Sequence, residues 1–272
     1  MRLVQIRRYP VKGLRGYSLQ RAEVQRIGLA GDRRWMIVDE AGKFVTQRQC
    51  PKLAQIDASP TARGVALRHA THGAIEIDVP DARAPIETVV VWRDAVQARV
   101  AESAGAYLSA FLEKPVRLVF LHDASERRVD PAFGRAEDRV SFADGFPMLI
   151  TSAASLADLN GRLPQAIGMD RFRPSLVIDG APAWAEDTWR KVRIGGLSFR
   201  IAKPCSRCAV PTLDPLTGEA LDGNEPIRTL GAFHRAANGG IIFGQNAIPD
   251  DVGALQVGDP VEIVETGSSN LL

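Results

Sequence analysis

Hydrophobic and polar residues alternate in short runs through most of the first half of the chain. Such runs, rich in β-branched residues and separated by Gly, Pro and Asp, are typical of β-strands. The pattern predicts strands over residues 2–6, 21–27, 35–38, 64–69, 74–79, 88–92 and 95–100. Several of these runs lie about ten residues apart, which favours an antiparallel barrel or sandwich over alternating strands and helices.

Helical spacing of hydrophobic residues occurs in only a few segments. Ala104, Leu108 and Phe111 predict a helix over residues 101–112, and a strand follows over 116–120. Residues 122–139 are polar and charged. They predict a long exposed loop, which serves either as a domain connection or as an active-site flap.

The second half again favours strands. They are predicted over residues 148–151, 175–179, 192–195, 198–202, 240–244 and 260–264. One helix begins after Ser152 or Ser155 and runs to about Arg162, and another covers residues 227–235. The predicted fold class is mainly β: two β-barrel-like parts with α+β elements and a few peripheral helices.

Composition narrows the classes of protein that fit this pattern. The chain has 272 residues, 45% of them hydrophobic, with 34 Lys and Arg against 32 Asp and Glu. The apolar fraction excludes wholesale disorder, and a formal charge of +2 predicts no general affinity for nucleic acid or anionic membranes. No segment approaches the ~20 apolar residues that span a bilayer, and the N-terminus does not resemble a signal peptide. Three cysteines favour a reducing compartment, so we expect a soluble, cytoplasmic protein.

The sharpest local motif is the cysteine pair Cys205 and Cys208, which follows a predicted strand. A structural zinc site would need four ligands, and only His69 and His72 form another close pair. A redox dithiol would precede a helix, whereas a turn-rich segment follows here. One soft thiolate that binds a transition metal is a third possibility, and a pair of buried, inert thiols is a fourth. The spacing alone leaves these alternatives open.

Basic residues beside turn-forming and aromatic residues form a second feature. They are Lys12, Arg33, Arg34, Arg48, Arg171 and Arg173. Each alone fits an ordinary surface charge, but together they predict a local anion pocket rather than a nucleic-acid surface.

Other polar residues give weaker signals. Glu186 and Asp187 are adjacent acids, which would point to opposite faces of an extended strand, so we expect a structural loop role. His122 and His234 are isolated in the sequence, and the histidine pair at 69 and 72 is expected in a solvated turn.

Several separate motifs resemble MOSC-domain proteins over nearly the whole chain. The N-terminal β-barrel domain that precedes MOSC domains is similar to YPVKGLRG and GLAGDRRWMIVDEAGKFVTQRQCPKLAQI. The MOSC domain itself is similar to DGFPMLITSAASLADLN, MDRFRPSLVIDG, WAEDTW, KPCSRCAVPTLDPLTG, FGQN and VGDPVEI. The resemblance implies an N-terminal domain over residues 1–115 and a MOSC domain over 116–268. It extends to the mitochondrial amidoxime-reducing components and their bacterial counterparts.

This resemblance implies a molybdenum–molybdopterin cofactor between the two domains. Its metal-ligating and catalytic cysteine matches Cys208, which agrees with the soft-thiolate alternative. The residues that match positions holding the pterin and its phosphate are Lys12, Arg33, Arg173, Ser206 and Arg207, while Gly13 allows close backbone approach and Ser175 stands where the family usually has Asn. Gly145 and Phe146 are a second departure from the pattern. Pyridoxal phosphate binding is a label that the family carries, and the resemblance implies it only at that level.

The implied activity is reduction of small N-hydroxylated or N-oxide compounds, with the loop at 122–139 contacting the substrate. We expect this protein to have neither the membrane anchor of the mitochondrial members nor the C-terminal iron–sulfur module of some bacterial members. A separate flavin or iron–sulfur protein is therefore expected to donate the electrons. The alternative function is a carrier of the cofactor or of sulfur, without substrate turnover.

Overall fold

Strands dominate the computed structural model, which describes residues 1–271. The strands are β1 Arg2–Arg8, β2 Val11–Lys12, β3 Tyr17–Leu19, β4 Arg21–Gln25, β5 Gly28–Leu29, β6 Trp35–Val38, β7 Asp57–Pro60, β8 Gly64–His69, β9 Gly73–Asp78, β10 Ile86–Val91, β11 Asp94–Ala101, β12 Arg117–Phe120, β13 Met148–Ser152, β14 Leu176–Asp179, β15 Trp189–Ile194, β16 Leu197–Ser206, β17 Ile242–Pro249, β18 Gly253–Gln256 and β19 Val261–Thr266. The α-helices are α1 Gly105–Leu112, α2 Ala153–Asn160 and α3 Ile227–Phe233. Strands hold 41% of the residues and helices 17%, so the mainly β fold is confirmed.

The largest sheet has eight strands in the order β19-β15-β16-β17-β13-β14-β1-β3 and curls as an open half-barrel. Its pairs are antiparallel except β13 with β14, which run parallel. Two of its strands, β1 and β3, come from the start of the chain. The sheet therefore unites the two ends of the sequence, and the domain division after residue 115 stays a prediction.

A five-stranded sheet, in the order β10-β11-β12-β6-β2, carries the other large core. Every residue of β6 is buried, because one face packs on α1 and the other on the β10–β11 hairpin. Two three-stranded sheets, β18-β4-β5 and β7-β8-β9, complete the strand pairing. The apolar side chains of β6, β11 and β12 alternate between two clusters, as the period of two requires.

The helices are short and lie where predicted, with shifted ends. The predicted helix over 101–112 divides, because Ala101 still pairs in β11 and a 3₁₀ turn, Glu102–Ala104, precedes α1. Helix α2 begins after Ser152, whose Oγ accepts a hydrogen bond from the backbone N–H of Ser155 at 3.4 Å. Helix α3 ends at Phe233, two residues before the predicted end.

The loop at 122–139 contains no helix or strand, as predicted, and one buried arginine fastens it both to β11 and to the segment before β13. Arg127 Nε lies 2.8 Å from Asp94 Oδ2, and its Nη1 donates to the carbonyl of Ser141 at 2.8 Å. Further hydrogen bonds reach the carbonyls of Ala143 and Asp144. These contacts fix the segment that leads into β13. Among the described residues, no helix has the length and apolar character needed to cross a membrane.

Candidate functional site

Most of the predicted site residues come together around one cavity of about 150 Å³. We call this cavity the inner pocket. Its lining includes Lys12, Gly13, Arg33, Arg173, Arg207 and Cys208. Ser175 and Ser206 are not part of that lining: Ser175 is buried and its Oγ accepts from the N–H of Leu149 at 3.2 Å, while Ser206 is exposed at the end of β16.

Turns and strand ends from both halves of the chain build the inner pocket. Lys12 lies in β2, beside β6, and Gly13 follows it with a φ of 84°. Arg33 and Arg173 also have left-handed backbones, with φ values of 47° and 54°. Such a backbone is uncommon for residues with a Cβ and concentrates at functional sites. The strain falls on two of the arginines that the sequence predicts as anion ligands.

Tyr9 organises these two arginines. Its ring is fully buried and lies 4.4 Å from the guanidinium carbon of Arg33 and 4.2 Å from that of Arg173. Asp32 accepts a hydrogen bond from the Tyr9 backbone N–H at 2.8 Å and also pairs with Arg33. Arg173 Nη1 donates to the carbonyl of Leu14 at 2.8 Å. Stacking on one ring therefore holds two like charges side by side.

The positive charge of the inner pocket is only partly neutralised. Within residues 1–271, no carboxylate lies within ion-pair distance of Arg173, and burial lowers its pKa to about 10, with the neighbouring charge of Arg33 adding to the effect. Burial also lowers the pKa of Lys12, although Asp144 works in the opposite direction. The Nε of Arg207 is buried and has no hydrogen-bond partner. An anion in this pocket would relieve each of these conditions.

The cysteine pair lies at the rim of the inner pocket. Cys208 is exposed and Cys205 is half-buried, and neither forms a disulfide. Arg207 Nη1 donates to Cys205 Sγ at 3.0 Å, and its Nη2 donates to the carbonyl of Phe172 at 2.8 Å. Cys50 is buried in a hydrophobic core. Because the described residues contain no cluster of three or more His, Cys, Asp or Glu suited to a metal, a zinc site made by side chains alone finds no ligand set there.

Asp144 is a pocket residue that the sequence did not single out. Its carboxylate contacts Lys12 Nζ and accepts a hydrogen bond from Trp92 Nε1 at 3.2 Å. Desolvation by the surrounding protein atoms would raise the pKa of the Asp144 carboxyl. The charge of Lys12 and its hydrogen bond outweigh this effect and hold that pKa well below its usual range. The sequence offered only one sign of a role for Asp144, its place in the segment 143–146 just before a predicted strand. Its partners Lys12 and Trp92 lie far away in the sequence.

A larger cavity of about 1230 Å³ opens from the inner pocket, and we call it the outer cleft. The two share wall residues, among them Arg48, Trp92, Asp144 and Phe146. Residues 126–131 of the predicted loop form another part of the cleft wall. The loop therefore borders the cavity that leads to Cys208, which is the position that a substrate-contacting flap requires.

A second buried polar cluster packs against β17, where Gln245 Nε2 donates to Asp187 Oδ1 at 2.8 Å, and it includes His234, which is isolated in the sequence. Glu186 and Asp187 lie on a buried 3₁₀ turn rather than on an extended strand. His234 Nε2 lies 2.8 Å from Asp187 Oδ2, and the His234 ring packs 4.1 Å from that of Trp184. Burial raises the pKa of Glu186 to about 7. The cluster contributes to the packing of α3 on the sheet, in agreement with a structural role.

The turn between His69 and His72 forms as predicted and exposes Ala70 and Thr71, but the two histidine side chains are not fully solvated. His69 and His72 are half-buried, with ring centroids 4.8 Å and 5.4 Å from that of Phe111. His72 Nε2 forms a hydrogen bond to the carbonyl of Tyr107 at 3.1 Å. These histidines attach the β8–β9 hairpin to α1, because an imidazole offers both an aromatic face and a polar tip.

Comparisons with known proteins identify related chains. Residues 1–115 match the model of the MOSC N-terminal beta barrel domain, and residues 137–262 match that of the MOSC domain. Mitochondrial amidoxime-reducing component 1 of Mus musculus is 34% identical over 94% of this chain and 80% of its own. The protein of the same name from Homo sapiens is 31% identical over 94% of this chain and 81% of its own.

The solved structure of the YUAD protein from Bacillus subtilis covers 96% of this chain and 93% of its own, at 10% identity and a TM-score of 0.42. That likeness is too low to add to the comparison. The sequence relatives and the two domain matches decide the assignment. The chain belongs to the MOSC-domain family that includes the mitochondrial amidoxime-reducing components.

Proposed function

We propose that this protein is a molybdenum-cofactor-dependent reductase of small N-hydroxylated compounds. One observation carries the proposal: the exposed Cys208 thiol opens into a pocket whose cations lack sufficient counter-charge. The names of the amidoxime-reducing relatives support the same class of reaction. A cytoplasmic location and a separate electron donor remain part of the proposal.

The residues of the inner pocket fit an anionic pterin cofactor. Arg173 has no carboxylate partner among the described residues, and the buried Nε of Arg207 has no acceptor. These groups, with Lys12 and Arg33, would hold the pterin and its phosphate. Gly13 has a φ of 84°, and a Cβ built there would meet no atom nearer than 3.6 Å, so there is room for a ligand beside its backbone. The Cys208 thiolate would ligate the metal, for which a soft sulfur ligand is suited.

When bound, the cofactor supplies two-electron transfer at molybdenum. In the overall reaction the N–O bond of the substrate breaks, and two electrons and two protons convert the N-hydroxyl compound into the amine or amidine and water. Asp144 remains ionised at neutral pH because Lys12 and Trp92 stabilise its carboxylate. Open to the cavity, it accepts a hydrogen bond from an N–H of the substrate and so orients the N–O group toward Cys208.

Metal and pterin analysis of purified protein tests the proposal. Protein from a host that makes the cofactor should hold roughly stoichiometric molybdenum and should reduce benzamidoxime with dithionite-reduced viologen as electron source. Cys208→Ser should lose the metal and the activity. Cys205→Ser is the matched control and should keep most of the metal, because Cys205 only accepts a hydrogen bond from Arg207.

Three outcomes would contradict the proposal in different ways. Equal metal loss in both cysteine variants would favour a dithiol site. Metal without reduction of any N-hydroxylated or N-oxide compound would favour the cofactor or sulfur carrier, a role that the exposure of Cys208 also permits. Absence of both metal and pterin from protein made in such a host would overturn the cofactor assignment itself.

A further inference from the structure

The outer cleft has more positive charge than its own carboxylates neutralise. Three of its acids each pair with an arginine of the same wall, at 2.8, 2.9 and 3.4 Å: Asp94 with Arg127, Asp130 with Arg93 and Glu126 with Arg128. The fourth acid, Asp144, contacts Lys12 of the inner pocket. Each carboxylate of the wall is thus already paired.

Three cations of the cleft wall remain. They are Lys43, Arg48 and Lys203, and within residues 1–271 none has a carboxylate in ion-pair distance. Aromatic rings accompany two of them. The guanidinium carbon of Arg48 lies 4.6 Å from the Trp92 ring, and Lys203 Nζ lies 4.5 Å from the ring of Phe133. A cation on an aromatic face keeps its charge available to a further anion.

Trp92 presents a fixed flat surface where the cleft meets the inner pocket. The residue is 43% exposed, although it is one of the largest apolar residues of the chain. Three features hold it there: a left-handed backbone with a φ of 58°, the hydrogen bond to Asp144 and packing on Phe44 at 5.2 Å. An exposed aromatic that is held this firmly is typical of a ligand-binding surface.

We propose that the outer cleft selects planar aromatic substrates that carry an anionic substituent, either a carboxylate or a phosphate. The aromatic ring packs against the exposed part of Trp92 that Arg48 and Phe44 leave uncovered, and Arg48 and Lys203 bind the anion. The N-hydroxyl end then extends toward Asp144 and Cys208. This inference rests on the proposed reductase function, since it assigns the part of the substrate that does not react.

Binding of unreactive probes to molybdenum-loaded protein tests the inference without turnover. The probes are naphthalene-2-carboxylate, 2-naphthyl phosphate and the uncharged naphthalene-2-carboxamide, measured by titration calorimetry at low and high salt. At low salt, whichever of the two anionic probes binds more tightly should bind about tenfold more tightly than the uncharged amide. High salt should reduce this difference in affinity. The carboxylate and phosphate probes distinguish the two possible anions.

Variants of the cleft wall assign the effect to residues. Arg48→Gln and Lys203→Gln should each weaken binding of the anionic probes about threefold to fivefold, whereas Lys203→Arg should largely restore it. Trp92→Leu should weaken all three probes. Arg83→Gln is the matched control, because Arg83 is exposed and lies beyond the opposite end of β10 from Trp92. Equal binding of anions and amide, or an equal loss in the control, would overturn the inference.

A turnover assay separates this inference from the proposed function. With reduced viologen, the ratio of kcat/KM for 4-carboxybenzamidoxime to that for benzamidoxime should fall in Arg48→Gln and Lys203→Gln. Selective probe binding without any reduction would leave the cleft assignment standing and overturn the reductase. Reduction of both amidoximes without any selectivity for the anionic one would leave the reductase standing and overturn the cleft assignment. If the variants slow only reduction by a cellular donor protein, the cleft rim is a donor-docking surface and the substrate inference is wrong.

Discussion

Replacement of Arg173 by methionine should separate cofactor binding from stability. Met keeps the length of the side chain and much of its apolar stem but removes the charge. The buried guanidinium has no carboxylate partner among residues 1–271, and its pKa is lowered to about 10 from an ordinary 12.5. In the empty pocket this charge is therefore unfavourable, whereas a bound phosphate would stabilise it.

The expected magnitudes come from opposing contributions. A lowered pKa of this size corresponds to roughly 3 kcal/mol of unfavourable environment for the charged form. Loss of the hydrogen bond to the Leu14 carbonyl removes about 1.5–3 kcal/mol of stabilisation, and loss of the contact with the Tyr9 ring removes about 0.5–2 kcal/mol. These contributions nearly cancel. The cofactor-free variant should therefore unfold within about 1–2 kcal/mol of the unmodified protein.

Two measurements on the same preparations check this expectation. Urea unfolding of cofactor-free protein gives the free energy of unfolding, and molybdenum and pterin analysis gives retention of the cofactor through gel filtration at low and high salt. Arg173→Met should retain at least about tenfold less cofactor, because one charge-assisted contact is worth about 1.5–3 kcal/mol.

Arg127→Met is the contrasting variant. Arg127 has a carboxylate partner and three carbonyl partners, and its side chain is 2% exposed. Its replacement should cost about 3–5 kcal/mol of stability, since it leaves these acceptors unpaired. If Arg173→Met destabilises the protein as strongly as Arg127→Met while it retains the cofactor, the assignment of Arg173 as an anion ligand is wrong.

Two further predictions concern buried groups away from the cations. Burial raises the pKa of Glu186 to about 7, so the protonated carboxyl contributes its full stability below the unfolded pKa of 4.5, and this contribution is lost as the pH rises through 7. The unfolding free energy should therefore fall by up to about 3 kcal/mol between about pH 5 and about pH 8, and Glu186→Gln should flatten this fall. An unchanged pH profile of the variant in urea unfolding would contradict the assignment. Gly28 has a φ of 112°, and a Cβ there would meet the carbonyl oxygen of Pro147 at 2.5 Å, so Gly28→Ala should cost about 2–4 kcal/mol by thermal unfolding. Gly73→Ala is its control, with a φ of 80° but no atom within 4 Å, and should cost only about 1 kcal/mol; equal losses would show that backbone conformation alone matters.

The predictable part of the fold is the part that local periodicity determines. Strands such as β8 and β11 were predicted because several residues alternate within one segment. The strands β2 and β5 contain two residues each and exist only because β6 and β4 lie beside them. No local pattern encodes such a pairing, so it follows only from the three-dimensional arrangement.

The site divides in the same way. Cys208 and the basic residues stand in short motifs, and six of the eight predicted positions line one cavity. The place of Asp144 in the site depends on its contacts with Lys12 and Trp92, and that of His234 in its cluster depends on its contact with Asp187. These partners lie far apart in the sequence. Residue type reveals which groups carry charge. Only the packed chain reveals which charges remain without a partner.

The pairing of β1 with β14 has a consequence for how the protein is made. The first strand leaves the ribosome early, but its partner, Leu176–Asp179, is synthesised only after most of the chain. Until then the apolar side chains of Leu3 and Ile6, which are fully buried in the finished sheet, lack their cover. If the protein binds the proposed cofactor, we expect binding to follow the synthesis of β14, and we expect the C-terminal half expressed alone to aggregate through the open edge of β14.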